Sequence, residues 1–283
     1  MIVHILEHAI EDLVKMLPFL FVAFLLIEAL EHYSTEHTKR MLARVGKAGP
    51  LMGAAAGCVP QCGFSVIAAN LYAGGIISVG TLVAVFIATS DEAVLIMLGN
   101  PGHGRDVLAL LAAKVVIGVI AGYVMDLSLG KYISVPKENG NLCERCGCHD
   151  HGHEKRILRP ALNHTFRVFL YLYITTVLLN LCIELVGEEQ LAQYLLGDTA
   201  FQPLIAAAIG LIPNCVSSVI LTQLYLGGAI SFASVIAGLS AGAGVGLLVL
   251  FRVNRDKKES LKILAALYIT AVLSGVVLQI LPL

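Results

Sequence analysis

A proline-interrupted apolar segment occurs twice in this chain, and this duplication constrains the fold more than any other feature. Residues 57–63 read Gly-Cys-Val-Pro-Gln-Cys-Gly, and residues 210–215, 153 positions further on, read Gly-Leu-Ile-Pro-Asn-Cys. From position 57 to position 78, twelve of twenty-two residues are identical to those 153 positions later. Proline removes a backbone donor and breaks a helix, so neither segment is expected to be a plain helix. The chain is therefore a tandem duplication with one interrupted apolar segment in each copy.

The composition places these segments in a membrane. Of the 283 residues, 57% are hydrophobic and 14% are charged, whereas a soluble domain carries roughly 25% charged residues. The net charge of −1 gives no reason to expect a nucleic-acid partner. The N-terminus is acidic and His-rich, so no cleavable signal peptide is expected. We predict a multi-pass protein of the cytoplasmic (inner) membrane, surrounded by the lipid bilayer.

Each copy has three uninterrupted apolar runs. A crossing helix needs about 20 apolar residues. The predicted crossings are residues 13–33, 77–98 and 107–129 in the first copy and residues 166–186, 229–251 and 261–282 in the second. The broken segments, 51–73 and 204–226, are each long enough to cross once or to enter halfway and turn back.

The positive charges favour the second alternative. Sixteen of the nineteen Lys and Arg residues fall in the stretches 39–47, 131–167 and 252–262. If segment 51–73 is a re-entrant hairpin, all three stretches lie on one face, which the positive-inside rule identifies as cytoplasmic. An odd number of crossings per copy then inverts one copy relative to the other, as in many secondary transporters.

The predicted fold is therefore an all-α polytopic membrane protein with an inverted repeat. Each half has three spanning helices plus one re-entrant or broken helix hairpin, which gives eight to ten membrane segments. Residues 1–130 form the first membrane repeat, 131–163 a cytoplasmic Cys/His-rich loop, and 164–283 the second membrane repeat. Both termini are predicted to lie outside.

The broken segments carry side chains suited to binding a substrate. Irregular backbone at membrane depth is tolerated where it is shielded by protein or lines a cavity, so the two tips are expected to meet near the midplane. Thiolates bind soft ions, and amide oxygens add harder ligands. The residues predicted to form this site are Cys58, Gln61, Cys62, Asn214 and Cys215. The alternative is a pair of kinked structural helices whose cysteines are buried as small hydrophobes.

A second candidate group lies inside the crossing 77–98. Ser90, Asp91 and Glu92 are adjacent there, and Lys114 lies inside the crossing 107–129. Ionisable groups inside a membrane are costly and usually functional. We predict a cation ligand or a proton-binding carboxylate, with Lys114 as its ion-pair partner. The alternative is a buried ion pair that fixes helix packing.

Two further groups lie outside the membrane core. Glu28, Glu31 and His32, near the cytoplasmic end of the first crossing, are a candidate access site for a divalent ion, although such residues are often simply interfacial. The central loop has the pattern C-x2-C-x-C-H-x-H-x-H, formed by Cys143, Cys146, Cys148, His149, His151 and His153. In a reducing compartment this density suits Zn²⁺ or another transition metal. The alternative is a solvated loop.

The membrane motifs resemble one family. The Gly-Cys-Val-Pro-Gln-Cys-Gly-Phe segment, the second Pro-Asn-Cys, the Ser-Asp-Glu in a membrane helix and the Cys/His-rich loop are similar to those of the ten-transmembrane heavy-metal exporters, also labelled arsenic efflux proteins or manganese transporters. The resemblance covers nearly the whole chain and implies metal or metalloid efflux without ATP hydrolysis. Ten helices are reached if each half of the two hairpins counts separately. The motif positions carried over are Cys58, Pro60, Gln61, Cys62, Ser90, Asp91, Glu92, Pro213, Asn214 and Cys215.

The predicted function is a secondary transporter that exports heavy-metal or metalloid ions by alternating access, and not an enzyme. No G-x4-G-K-[ST] motif is present, so direct ATP coupling is not expected; a proton is a candidate coupling ion, and no cofactor is required. Sulfur ligands favour As(III) or a soft divalent ion, whereas Asp91 and Glu92 favour Mn²⁺. A membrane metal sensor or chaperone acting through the Cys/His loop is a second hypothesis. A redox enzyme using Cys58 and Cys62 is a third, but C-x3-C lacks the usual two-residue spacing. A homo-oligomer is compatible with the sequence.

Overall fold

The computed structural model describes residues 48–59, 63–100, 103–128, 201–254 and 256–280, with isolated positions between 10 and 25 and between 162 and 181. In this part of the chain the only regular secondary structure is helix. The first copy contains α1 Gly49–Gly57, α2 Gly63–Ala73, α3 Val79–Ala88, α4 Asp91–Gly99 and α5 Gly104–Ser128. The second contains α6 Gln202–Gly210, α7 Cys215–Leu226, α8 Phe232–Ala241, α9 Val245–Val253 and α10 Lys257–Ile280.

Four stretches are long and apolar enough to cross a membrane. They are Val79–Gly99, Gly104–Ser128, Phe232–Val253 and Lys257–Ile280, of 21 to 25 residues each. They correspond to four of the predicted crossings. The helices α2 and α7 are apolar but shorter. The chain is therefore a helical, multi-pass membrane protein.

Two of the predicted crossings are interrupted at mid-length, which the sequence analysis did not anticipate. In the first copy α3 ends where Thr89 takes an extended conformation (φ −59°, ψ 127°), and the Thr89 hydroxyl donates to the Val85 carbonyl at 2.7 Å. In the second copy α8 ends at Gly242, and Gly244 has a φ of 52° before α9 begins. Both continuous crossings, 77–98 and 229–251, therefore become pairs of half-helices. Mean hydropathy does not detect these breaks, because the runs before Thr89 and after Glu92, and those on either side of Gly242–Gly244, are apolar.

The first half-helix of each broken segment lies directly against the first half-helix of the following crossing in its own copy, α1 against α3 and α6 against α8. A Cβ at Gly53 would lie 2.9 Å from the Thr81 carbonyl oxygen, and one at Gly57 would lie 2.7 Å from the Val85 carbonyl oxygen. Small residues four apart allow this close approach of α1 to α3. In the second copy Gly210 lies against the Gly238 backbone of α8, where a Cβ would likewise clash with a carbonyl oxygen. The duplicated glycines therefore set the same helix pair in both copies.

The second half-helix of each broken segment packs against the other copy. Helix α2 lies on α9, where a Cβ at Gly246 would lie 2.6 Å from the Ser65 Cβ atom, and α7 lies on α4. The larger apolar core mixes both copies, as Val66 and Leu82 share it with Leu250. The two repeats are therefore interleaved rather than side by side.

The same turn closes both broken segments. Gly75 and Gly228 have φ values of 72° and 71°, a left-handed conformation that residues with a side chain rarely adopt. In each turn the residue directly after this glycine donates its backbone N–H to a carbonyl of the preceding helix. Ile76 donates to Leu71, and Ala229 donates to Leu224. This hydrogen-bond pattern is a glycine-based helix C-cap. It leaves only a short connection between α2 and α3, and between α7 and α8.

Candidate functional site

The interrupted helices meet around one small cavity. Its walls come from the ends of α3, α6 and α8 and the beginnings of α4 and α7. The lining residues are Thr89, Ser90, Gly210, Ser217, Ser218, Leu221, Gly238, Leu239 and Gly242. The space for the centre of a water-sized sphere is about 10 Å³, which is close to the room that one buried water needs. The cavity in this conformation therefore has room for about one water molecule.

Lys114 is the buried cation at this junction. Its side chain is 0% exposed, although it lies in the middle of α5. The ammonium group donates to the carbonyl of Thr89 and, at 2.8 Å, to the carbonyl of Leu239. These carbonyls lie at the C-terminal ends of α3 and α8, where the helix dipole favours a positive charge. Lys114 therefore joins a helix break of the first copy to one of the second.

Cys58 lies at the edge of the same junction. It follows α1 directly, is half-buried, and donates its backbone N–H to the Ala54 carbonyl at 3.2 Å. Its sulfur is close enough to the Lys114 ammonium for an electrostatic interaction. The preceding residue, Gly57, packs against the Thr89 backbone, so the end of α1 reaches the cavity wall.

Cys215 and Asn214 lie at the start of α7. Cys215 is its half-buried first residue, and Asn214 precedes it with 8% of its side chain exposed. Ser217, one of the cavity residues, donates to the Asn214 carbonyl at 2.7 Å. Asn214 and Cys215 therefore lie three residues before the cavity residues Ser217 and Ser218, but neither lines the cavity itself.

The first tip is only partly described. Pro60, Gln61 and Cys62 lie outside the described residues, so the predicted meeting of three sulfurs stays a prediction. Among the described residues there is no group of three or more His, Cys, Asp or Glu side chains placed to hold a metal ion.

The predicted carboxylates stand at a helix start. Asp91 and Glu92 are the first two residues of α4, directly after the buried Ser90. Their side chains lie outside the described part of the structure, so their predicted pairing with Lys114 stays a prediction. The break itself explains why two carboxylates follow Ser90, since acidic residues are favourable in the first turn of a helix.

The hydroxyls of Ser217 and Ser218 form the part of the site that sequence reasoning missed, whereas Ser90 was predicted. Ser217 and Ser218 line the cavity and donate to backbone carbonyls, Ser218 to Cys215 at 2.7 Å. Ser90 donates to the Ala88 carbonyl at 3.2 Å. A hydroxyl whose hydrogen is engaged keeps oxygen lone pairs for accepting a bond or ligating a cation. The identity of Ser65 and Ser218 in the duplication was the signal that could have found them.

The remaining candidates are outside the described residues. They are the proposed access site, Glu28, Glu31 and His32, and the proposed loop site, Cys143, Cys146, Cys148, His149, His151 and His153. The metal-binding interpretation of both stays a prediction.

One protein family matches this chain over nearly its whole length. Its description reads "Putative, 10TM heavy-metal exporter", and it matches residues 3–186 and 161–282. The chain belongs to this family, as the membrane motifs predicted. No curated protein and no solved structure matches the chain.

Proposed function

We propose that this member of the heavy-metal exporter family is a secondary transporter that moves its ion by alternating access, with the substrate held where the interrupted helices meet. The observation that carries the proposal is the convergence of helix ends from both copies on one cavity, with the buried Lys114 between them. Broken helices at membrane depth are the usual construction of ion sites in secondary transporters.

The proposed architecture is an inverted repeat with re-entrant hairpins, and helix lengths support it. Helices α1 and α2 have 9 and 11 residues, which gives about 14 and 16 Å at 1.5 Å per residue. Each therefore spans about half of a 30 Å hydrocarbon core.

The contacts of α1 support the turn back. Gly49 lies against Thr81 near the start of α3, and Gly57 lies against Ala88 at its end, so α1 and α3 run in parallel. The connection from Ala73 to Val79 can span at most about 20 Å. If α2 continued onward from α1, Ala73 would end about 30 Å from the start of α3. A hairpin, in which α2 runs back beside α1, is consistent with both the contacts and the length of the connection, and this supports the re-entrant interpretation.

We place the positively charged stretches, including the central loop, on the cytoplasmic side of the inner membrane and both termini outside. The first hairpin then enters from the cytoplasmic face and the second from the opposite face. This arrangement follows from the positive-inside rule and the hairpin topology. A proton is the coupling ion that a pathway with Asp91, Glu92 and Lys114 is best suited to use.

The proposed ligands combine sulfur with oxygen. Cys58 and Cys215 lie at the ends of α1 and α7, and we assign Cys62 to the same site as the repeat equivalent of Cys215. Sulfur ligands suit As(III) and soft divalent ions. Oxygen ligands come from Gln61, Asn214, Ser90, Asp91 and Glu92, and these suit Mn²⁺.

Growth of a strain that lacks the gene tests the proposal. We expect the strain to be sensitive to at least one of arsenite, Cd²⁺, Zn²⁺ and Mn²⁺, and expression of the protein to restore growth. Normal growth of the deletion strain on all four would contradict the export function.

Side-chain variants in the same strain identify the ion. Cys58→Ser and Cys215→Ser should abolish resistance to a soft ion, whereas Asp91→Asn should abolish resistance to Mn²⁺. Cys182→Ser is the matched control, because Cys182 lies in a different apolar run. Loss of resistance to the same degree in the control would show that the effect does not come from the site.

Deletion of residues 143–153 separates export from a sensor or chaperone role. If the membrane site performs the transport, the shortened protein still restores growth. Complete loss of function with normal expression would favour the loop as the active part.

A further inference from the structure

A tyrosine of the first copy is tied to a carboxylate of the second. Tyr72 lies one residue before the end of α2 and is 5% exposed. Its hydroxyl donates to the carboxylate of Glu259, in the first turn of α10. The other Glu259 oxygen accepts from the Asn254 side chain at 3.4 Å. The C-terminal end of α2, which is the end of the first hairpin at the membrane surface, is thereby fixed to the second copy.

An equivalent pair has its tyrosine in the second copy and its carboxylate in the first. Tyr225 is the repeat equivalent of Tyr72, and Asp106 is the repeat equivalent of Glu259, each at the same spacing of 153 residues. Asp106, in the first turn of α5, lies close enough to the Tyr225 hydroxyl to interact with it. Asp106 also contacts the ring nitrogen Nδ1 of His103 at 2.7 Å. Both members of the pair are thus duplicated, and both contacts join one copy to the other.

The two pairs lie at corresponding positions of the duplication. Each lies between the C-terminal end of a hairpin's second half-helix and the first turn of the long helix of the other copy, α2 with α10 and α7 with α5. The inner end of α7 lies at the cavity, where Ser218 lines the wall, whereas the inner end of α2 packs against the start of α9, where Ser65 lies next to Gly246. A displacement of α7 at the Tyr225 end would therefore move a wall of the cavity.

We propose that these two tyrosine–carboxylate pairs are the latches of the two gates, Tyr72–Glu259 for one face of the membrane and Tyr225–Asp106 for the other. The proposal rests on the inverted, alternating-access architecture proposed above, which places Tyr72 and Glu259 on the cytoplasmic face and Tyr225 and Asp106 on the outer face. The Tyr72–Glu259 hydrogen bond is formed in this structure, and the cavity has room for about one water. Opening to one side requires release of one latch while the other stays formed.

Cysteine labelling from each face tests the proposal without any substrate. The probe is Ser90→Cys, at a cavity residue that is 2% exposed, in a chain whose native cysteines are replaced. A membrane-impermeant maleimide is applied to vesicles of either orientation. Tyr72→Phe should raise labelling from the cytoplasmic face, and Tyr225→Phe should raise it from the outer face. We expect about a tenfold increase in rate, the factor that corresponds to loss of one hydrogen bond to a charged group.

Two controls keep the result specific. Tyr268→Phe removes another tyrosine hydroxyl, which donates to the Leu204 carbonyl at 3.3 Å, and should leave labelling unchanged. Glu259→Gln keeps an acceptor but removes its charge, and should give a smaller increase on the same face as Tyr72→Phe. This second variant replaces Tyr72→Phe if the latter does not fold.

Opposite-face increases from the two tyrosine variants support the latches. The proposal is overturned if both variants expose the probe to the same face, if neither changes labelling, or if Tyr268→Phe has an equal effect. If metal export is intact and labelling is unchanged, the latch proposal is contradicted but the proposed transport function is not. Metal export is assayed separately, in chains that keep Ser90 and the native cysteines. Opposite-face labelling together with no metal export by the chain with native tyrosines supports the latches and contradicts the proposed substrate.

Discussion

Replacement of Lys114 by methionine should both destabilise the protein and abolish transport. Lys114 is fully buried and donates to two backbone carbonyls, Thr89 and Leu239. A buried acceptor that loses its partner costs about 1–3 kcal/mol, so two carbonyls together cost about 2–6 kcal/mol. The side chain lies away from bulk solvent, so solvent screening does not reduce this cost. Transport should be lost because the two helix breaks are no longer held in register.

Thermal unfolding of the purified protein in detergent measures the first effect. A change of 1 kcal/mol shifts the melting temperature of a protein of 150–250 residues by about 2–4 °C, so Lys114→Met should melt at least about 4 °C lower. The matched control is Leu267→Met, because Leu267 is the repeat equivalent of Lys114 and is also fully buried. That volume-conserving exchange should cost less than about 1.5 kcal/mol.

Lys114→Gln separates the hydrogen bonds from the charge. A glutamine amide still donates, so stability should fall less than in Lys114→Met, whereas transport should remain lost if the positive charge takes part in coupling. If Lys114→Met melts like Leu267→Met and still restores growth on metal, Lys114 neither holds the breaks nor serves transport, and the reasoning fails.

Two glycine substitutions test the packing that positions the site. Gly57→Ala should reduce folding or stability, because its Cβ would lie 2.7 Å from the Val85 carbonyl oxygen. Gly99→Ala is the control and should be neutral or slightly stabilising, because nothing lies within 4 Å of its Cβ. Equal melting temperatures of the two variants would contradict the close α1–α3 contact. Gly228→Ala has open space around it but a φ of 71°, so it should cost about 1–2 kcal/mol by backbone strain alone, measured by the same melting assay; an unchanged melting temperature would contradict the left-handed turn.

The proline breaks were predictable, but the other two were not. Residues 57–63 and 210–215 carry proline and glycine, and helices α1 and α6 end there at Gly57 and Gly210. The breaks at Thr89 and Gly242 contain no proline. They depend on contacts between distant segments, such as the Lys114 ammonium at the Thr89 carbonyl, 25 positions apart along the chain. No local pattern encodes such a contact.

One local signal was nevertheless present and was interpreted as chemistry alone. Ser90-Asp91-Glu92 in the middle of an apolar run is also the signature of a helix N-terminus, a small hydroxyl residue followed by acidic residues. The structure places the start of α4 at this point. A helix start and an ion site are therefore two consequences of the same three residues.

The meeting of the sulfurs stays a prediction. Cys58 directly follows α1 and Cys215 begins α7. Ser217 was missed because a serine in an apolar helix has no distinctive pattern, and its position on the cavity wall depends on how α7 packs against α4. The sequence identifies which segments meet, whereas the packing decides which side chains face the shared space.

The difference between the two copies bears on how such a protein works. The backbone scaffold is duplicated, including the close glycine contacts, the left-handed turns and the tyrosine–carboxylate pairs. The charges are not, because Lys114 corresponds to Leu267, and Asp91 and Glu92 correspond to Gly244 and Val245. In an inverted repeat the inward-open and outward-open arrangements are near-copies of each other, so the scaffold alone gives two states of similar energy. A ligand shifts such an equilibrium only through its different affinity for the two states. In the arrangement proposed above, the charged groups belong to one copy and their surroundings differ between the two states, so ion binding would shift the equilibrium toward one of them.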